Sequence, residues 1–111
     1  DIRENAMLTT SDETMDLLNE IGHPNLGLEY DAFHMHVTEG NMAERVQKYL
    51  PHIGNIQIAD VPGRNEPGTG SIDYDAFLGA LDKMGYSNWV ACEYTPVGST
   101  IDGLNWLQNW L

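Results

Sequence analysis

Three side chains with oxygen donors lie in or directly after short, mainly apolar stretches. Asp31 follows LGLEY, Gln57 lies inside NIQIAD and Glu93 lies inside WVACEY. Two carboxylates and an amide oxygen form a hard, all-oxygen donor set, which suits Mg²⁺ or Mn²⁺ better than zinc. If the fold brings the three side chains together, they predict a divalent-cation site. A glutamine within an otherwise apolar strand is then explained by a cation that needs its oxygen.

The elements that must position these side chains alternate between helices and strands. Residues Thr10 to Glu13 have the spacing of a capping box, and apolar residues follow at helical intervals, which predicts a first helix over 10–21. The same patterns predict strands over 26–31, 55–60 and 89–94, a loop through 38–40, and helices over 41–50, 73–86 and 101–111. This alternation is typical of parallel strands joined by right-handed crossovers.

Two architectures fit three such strands: an open doubly wound domain, or about half of a closed eight-stranded barrel. A three-stranded parallel sheet by itself leaves faces and edges uncovered. The side chains decide between them, because they alternate along a strand. Each strand has one apolar face for helices and one face of small residues with a carboxylate or amide near its C-terminal end. These second faces are Gly27, Glu29 and Asp31; Gln57 and Ala59; and Ala91 and Glu93.

The barrel interpretation brings Asp31, Gln57 and Glu93 to the C-terminal mouth, where barrel enzymes hold their chemistry. Glu29 faces inward one layer below Asp31 and is predicted to be a structural partner. The other histidines, His23, His36 and His52, are predicted to lie on the surface or in packing contacts. The tryptophans are predicted to pack in the core or between helices and barrel: Trp89, Trp106 and Trp110.

Composition excludes several classes of partner. The chain has 111 residues, enough for one small domain, with 17 acidic and five basic side chains and a net charge of −12. Such a charge argues against nucleic acid or an anionic membrane as partner. The longest apolar run is far shorter than the ~20 residues that a membrane span needs. A single Cys92 has no internal disulfide partner, which fits a reducing cytoplasm.

Three segments in order resemble the C-terminal half of hydroxypyruvate isomerases, which belong to the xylose isomerase-like barrel superfamily. The segments are YDAFHMHVTEGN, HIGNIQIADVPGRNEPGTG and VACEYTPVGST. The resemblance extends from the helix at 10–21 to the end of the chain. It implies a (β/α)₈ TIM barrel, in which residues 1–111 are the C-terminal portion of one domain and supply the last three parallel strands with their helices.

The resemblance also implies roles for individual residues. In that family a divalent metal is held by Glu, Asp, Gln and Glu from four strands, and Asp31, Gln57 and Glu93 match the last three. Glu93 would double as one of two acid–base carboxylates, while His34 and Arg64 would bind substrate oxygens. By the same resemblance, the first glutamate of the family set is expected upstream of Asp1. We therefore expect this chain to be a fragment of an isomerase, inactive by itself.

The implied reaction is the interconversion of hydroxypyruvate and tartronate semialdehyde through an enediolate, with a small hydroxy-oxo acid as substrate. Two alternatives stay open. One is a 2-oxo-tetronate isomerase or another sugar isomerase or epimerase of the superfamily, although an epimerase would carry histidine in place of Gln57. The other is a non-catalytic, truncated interaction module, whose exposed strand edges would favour a homo-oligomer.

Overall fold

Three parallel strands in the order β1–β2–β3 form the sheet of the computed structural model, which describes residues 5–111. The helices and strands in chain order are α1 Ser11–Ile21, β1 Leu28–Asp31, α2 Ala32–Thr38, α3 Met42–Tyr49, β2 Ile53–Ile58, α4 Tyr74–Met84 and β3 Trp89–Cys92. Two 3₁₀ segments, Leu50–His52 and Asp102–Asn109, precede β2 and follow β3. The predicted alternation and the parallel pairing are confirmed.

Helix α1 begins with the predicted capping box. The Thr10 hydroxyl accepts a hydrogen bond from the Glu13 N–H at 3.2 Å, and the Glu13 carboxylate accepts one from the Thr10 N–H at 3.1 Å. Two of the N–H groups that a helix start leaves without partners are satisfied in this way. Gly22, with φ of +63°, ends the helix in the left-handed conformation that glycine adopts without steric cost.

Helix α2 was not predicted: the sequence indicated a loop between the first strand and Gly40. The Asp31 side chain caps this helix by accepting a hydrogen bond from the His34 N–H at 3.2 Å. Ala32 and Phe33 are buried at its start. The loop reduces to residues 39–41, of which Gly40 and Asn41 have positive φ. Asp31 therefore both ends β1 and begins a helix, and the periodicity of such a short helix is too weak to detect.

The later strands are shifted relative to the prediction. Strand β2 begins at Ile53 rather than 55 and ends at Ile58, because the Asp60 backbone turns to pair with Asn65. Strand β3 ends at Cys92, two residues before the predicted end.

The last helix is a 3₁₀ segment rather than an α-helix. The Tyr94 hydroxyl donates a hydrogen bond to the Gly103 carbonyl at 2.7 Å. It thereby engages a carbonyl that regular α-helical pairing would use.

The two faces of the sheet differ as the alternation predicts. Leu28, Tyr30, Ile56 and Ile58 are buried in the core on the side of the helices. The opposite face carries one layer of Glu29, Asn55 and Trp89 and a second layer of Asp31, Gln57 and Ala91.

In the lower layer, the Glu29 carboxylate accepts a hydrogen bond from the Asn55 amide at 2.9 Å, and its structural role stays a prediction. Within residues 5–111, Trp89 packs neither in the core nor between a helix and the sheet, contrary to the prediction. Its side chain lies on the open face of β3 and is 81% exposed, because no further strand covers that face in residues 5–111. Within the same residues, no helix is both long and apolar enough to cross a bilayer.

Candidate active site

The C-terminal edge of the sheet carries the three predicted oxygen donors. Asp31, Gln57 and Ala91 are partners in register across the sheet, so Asp31 and Gln57 lie side by side on the open face. Glu93 lies one step beyond Ala91, where its N–H donates a hydrogen bond to the Ile58 carbonyl at 3.0 Å. The strand periodicity thus brings two carboxylates and one amide to the same edge, as the side-chain alternation predicts.

Arg64 extends its guanidinium between the two carboxylates. Its Nη2 lies 2.5 Å from the Glu93 Oε2 and 3.6 Å from the Asp31 Oδ2. The guanidinium also lies over the Phe33 ring, 5.2 Å from the ring centroid. The carboxylates differ in exposure, since the Asp31 side chain is 16% exposed and that of Glu93 is 51% exposed. One arginine therefore links the ends of the first and third strands electrostatically.

The Arg64 backbone has an unusual conformation, with φ of +54°. An L-residue in this left-handed region carries a steric cost, and such costs concentrate at functional sites. Two hydrogen bonds hold the conformation: the Arg64 N–H donates to the Asp60 carbonyl at 2.8 Å, and the Thr95 N–H donates to the Arg64 carbonyl at 3.0 Å. The loop thus places the Arg64 side chain at the C-terminal edge of the sheet.

His34 approaches the same carboxylate from helix α2. Its Nε2 lies 3.7 Å from the Asp31 Oδ2, and its ring meets the edge of Phe33 with the centroids 5.3 Å apart. Because Asp31 caps α2, the first turn of that helix is fixed relative to the strand end. All five residues singled out in the sequence, Asp31, His34, Gln57, Arg64 and Glu93, therefore lie at one edge of the sheet.

Asp60 is a residue whose importance the sequence reasoning missed. Its side chain is fully buried, and its two carboxylate oxygens accept hydrogen bonds of 2.8–3.0 Å from four backbone N–H groups. The donors are Val61, Gly68, Gly70 and Ile72. A carboxylate that accepts several backbone N–H groups fixes a loop strongly. The available signal was an aspartate at a strand end before a loop rich in glycine and proline.

Further bonds join this loop to the segment after β3. The Asn65 amide donates to the Thr95 carbonyl at 2.7 Å, and the Glu66 carboxylate accepts from the Val97 N–H at 2.9 Å. Beneath the loop, the buried Tyr74 hydroxyl donates to the Ala59 carbonyl at 2.7 Å. Burial raises the pKa of Tyr74, so this donor stays protonated throughout the neutral range. Arg64 is therefore supported by hydrogen bonds on both sides.

Gly70 has no room for a side chain, so we expect Gly70→Ala to destabilise the loop. A Cβ there would lie 2.0 Å from the Val61 carbonyl oxygen and 2.7 Å from the Asp60 Oδ1. We expect a loss of about 1–3 kcal/mol in the free energy of unfolding, measured by urea denaturation. The matched control is Gly79→Ala within helix α4, where a Cβ meets no atom within 4 Å. Equal effects of the two substitutions would contradict this expectation.

The donor set has the chemistry of a site for a hard cation. Asp31 and Glu93 provide carboxylate oxygens and Gln57 provides an amide oxygen, all from adjacent strand ends. The Arg64 guanidinium already places one positive charge beside both carboxylates. Within residues 5–111, no group of three or more His, Cys, Asp or Glu side chains is arranged to hold a metal ion. By residue type, the two carboxylates and the amide at this edge fit a hard cation that prefers oxygen ligands.

Comparison with known proteins identifies the fold family. Residues 3–110 match the sequence profile of the xylose isomerase-like TIM barrel family. The chain is 38% identical over 110 residues to a 2-oxo-tetronate isomerase of Pectobacterium atrosepticum, covering 99% of this chain and 42% of that protein. It is 39% identical over 101 residues to the hydroxypyruvate isomerase of Escherichia coli, covering 91% of this chain and 39% of that protein.

Solved structures support the same family assignment. An AP endonuclease of family 2 from Brucella melitensis has a TM-score of 0.88 and 31% identity, over 93% of this chain and 40% of that chain. The IolI protein with a bound zinc atom has a TM-score of 0.64 and 28% identity, over 80% of this chain and 36% of that chain. A metal is therefore bound by a protein of this fold. The chain spans about two fifths of the length of these relatives, and it belongs to the xylose isomerase-like TIM barrel family.

Proposed function

We propose that this chain supplies the C-terminal part of a metal-assisted isomerase that interconverts hydroxypyruvate and tartronate semialdehyde. The observation that carries the proposal is the meeting of Asp31, Gln57 and Glu93 with Arg64 at one edge of the sheet. Its support in sequence is the 39% identity to the hydroxypyruvate isomerase of Escherichia coli. Because the relatives are more than twice as long, the activity is proposed for the whole protein rather than for residues 1–111.

The proposed cation ligands are Asp31, Gln57 and Glu93, and the proposed ion is Mg²⁺ or Mn²⁺. When bound, such an ion would supply positive charge that stabilises negative charge developing on the substrate. Hard oxygen donors are the reason for preferring these ions to zinc.

The proposed proton-transfer group is Glu93. Its side chain is half exposed on the open face of the sheet, so a substrate can reach its carboxylate. In the isomerisation, one carboxylate removes the proton on the carbon next to the carbonyl, and a second returns a proton to the neighbouring carbon. Each group of this kind typically contributes ~10²–10⁴ in rate. Glu93 is assigned to one of these two transfers.

Arg64 and His34 are the proposed substrate-binding residues. A guanidinium can bind the carboxylate of a hydroxy-oxo acid through two parallel hydrogen bonds. Its positive charge also offsets part of a chain charge of −12, which otherwise repels an anionic substrate. His34 lies beside Asp31 and can donate a hydrogen bond to a substrate oxygen. Such a substrate is a small metabolite, and we propose that the protein acts in the cytoplasm without nucleic acid or membrane partners.

A 2-oxo-tetronate isomerase is the second candidate, because the relative of that name in Pectobacterium atrosepticum is 38% identical. Both candidates shift a carbonyl along a short acid, so the same edge residues serve either reaction. The two substrates are separate acids, so assays with each of them distinguish the two candidates.

The test compares the 111-residue chain with an upstream-extended protein, in which the sequence continues upstream to the length of the relatives. Each is assayed for interconversion of hydroxypyruvate and tartronate semialdehyde, and separately for 2-oxo-tetronate, with Mg²⁺ or Mn²⁺ and after chelation. We expect metal-dependent turnover of hydroxypyruvate by the extended protein alone. Turnover of 2-oxo-tetronate in its place would favour the second candidate. Folding and metal binding without turnover of any such acid would favour the interaction module.

A further inference from the structure

We propose that Arg64 is an internal counter-ion that competes with the divalent cation for Asp31 and Glu93. This inference rests on the proposed function, because it takes the same two carboxylates as cation ligands. In it, Arg64 neutralises the carboxylates while no divalent cation is bound and must release them when one binds. The released guanidinium then becomes free to hold the carboxylate of the substrate.

The distances support a counter-ion rather than a passing surface contact. The Arg64 Nη2 is 2.5 Å from the Glu93 Oε2 and 3.6 Å from the Asp31 Oδ2, so one nitrogen serves both strand ends. Two carboxylates that converge on one point repel each other unless a positive charge lies between them. At 2.5 Å, the Arg64 Nη2 and the Glu93 Oε2 are close enough for a charge-assisted hydrogen bond. A divalent cation held by the same oxygens has to displace the guanidinium.

Hydrogen bonds hold the Arg64 backbone in a fixed conformation near the two carboxylates. The residue keeps its φ of +54° through the hydrogen bond of its N–H to the Asp60 carbonyl. The Asp60 side chain is itself fully buried and fixed by four backbone N–H groups. On the other side, the guanidinium rests over the Phe33 ring. These supports limit where the charge can be placed.

The side chain can nevertheless leave its partners. Arg64 is 39% exposed and Glu93 is 51% exposed, so the ion pair opens towards solvent on the face where a substrate would bind. Ion pairs of such exposure are weak and exchange readily. A divalent cation and an anionic substrate would therefore bind in a coupled way, since the first frees the group that holds the second.

The test measures Mn²⁺ affinity by isothermal titration calorimetry and by electron paramagnetic resonance of free Mn²⁺, using the upstream-extended protein without substrate. We expect Arg64→Met to bind Mn²⁺ roughly 3- to 30-fold more tightly than the parent, because an opposing charge and a competing ion pair are both removed. Arg64→Lys should stay closer to the parent, since it keeps the charge. The matched control is Lys83→Met, which removes one positive charge from the last turn of α4 and should leave the affinity unchanged.

Two further variants make the outcomes distinct. Arg64→Gln repeats the test with a polar side chain, and circular dichroism checks the folding of every variant. Unchanged or weaker Mn²⁺ binding in folded Arg64→Met or Arg64→Gln overturns the inference. Asp31→Asn tests the cation site itself and should weaken Mn²⁺ binding. If Asp31→Asn has no effect, the proposed cation site fails; if it weakens binding while the Arg64 variants do not tighten it, only the counter-ion role fails.

Discussion

Glu93→Gln is expected to lower kcat of the upstream-extended protein by about 10²- to 10⁴-fold. Glutamine keeps the size of the side chain and one oxygen but cannot accept or return a proton. Because Glu93 is also a proposed cation ligand, the substitution should weaken Mn²⁺ binding as well. Steady-state kinetics at saturating Mn²⁺ and hydroxypyruvate separates the two effects, since only the loss of proton transfer persists at saturation.

The control for this substitution is Glu44→Gln, an exposed glutamate in the first turn of α3. It removes the same charge and should leave kcat within about twofold, because it touches nothing at the sheet edge. A Glu93→Gln protein that is folded, saturated with Mn²⁺ and as active as the parent would remove Glu93 from the chemistry. The meeting of the donors at this edge would then need another explanation.

Asp60→Ala is expected to reduce the free energy of unfolding by about 3–5 kcal/mol. The substitution leaves four backbone N–H groups without their buried acceptor, namely those of Val61, Gly68, Gly70 and Ile72. Each unsatisfied group costs about 1–3 kcal/mol, and the costs do not add fully because water enters the opened loop. Urea denaturation followed by circular dichroism measures the loss.

Asp82→Ala is the matched control for Asp60→Ala, since Asp82 is an exposed aspartate within α4. Its effect should stay within about 0.5 kcal/mol. Asp60 also holds the loop that carries Arg64, so any folded Asp60→Ala protein should bind substrate more weakly and show a raised KM. Similar stability losses in the two variants would mean that the Asp60 hydrogen bonds contribute little.

The arrangement of the three oxygen donors can be predicted from the two-residue repeat of side chains along a β-strand. Because side chains alternate, a carboxylate or amide near the end of each apolar strand is enough to predict that Asp31, Gln57 and Glu93 share one face. The parallel pairing follows in the same way from the alternation of helices and strands. These are local patterns, and local patterns are visible in a sequence.

The parts that were missed depend on contacts between distant residues. The pairing of Arg64 with Glu93 joins positions 29 residues apart, and no spacing in the chain encodes it. Asp60 looks like the end of a strand until the fold brings Ile72 back to its carboxylate. Helix α2 is only seven residues long and is specified by the Asp31 cap and the burial of Phe33 rather than by periodicity.

The exposed indole of Trp89 gives the chain an optical property. Trp89 is 81% exposed on the open face of β3, whereas Trp106 and Trp110 line an apolar groove of about 270 Å³ on the helix side. An indole in water fluoresces at longer wavelength than one in dry surroundings. Because additional strands would cover the layer of Glu29, Asn55 and Trp89, closure of a barrel around this face should shift the emission to the blue. Trp89 emission therefore reports whether the open face of the sheet is covered.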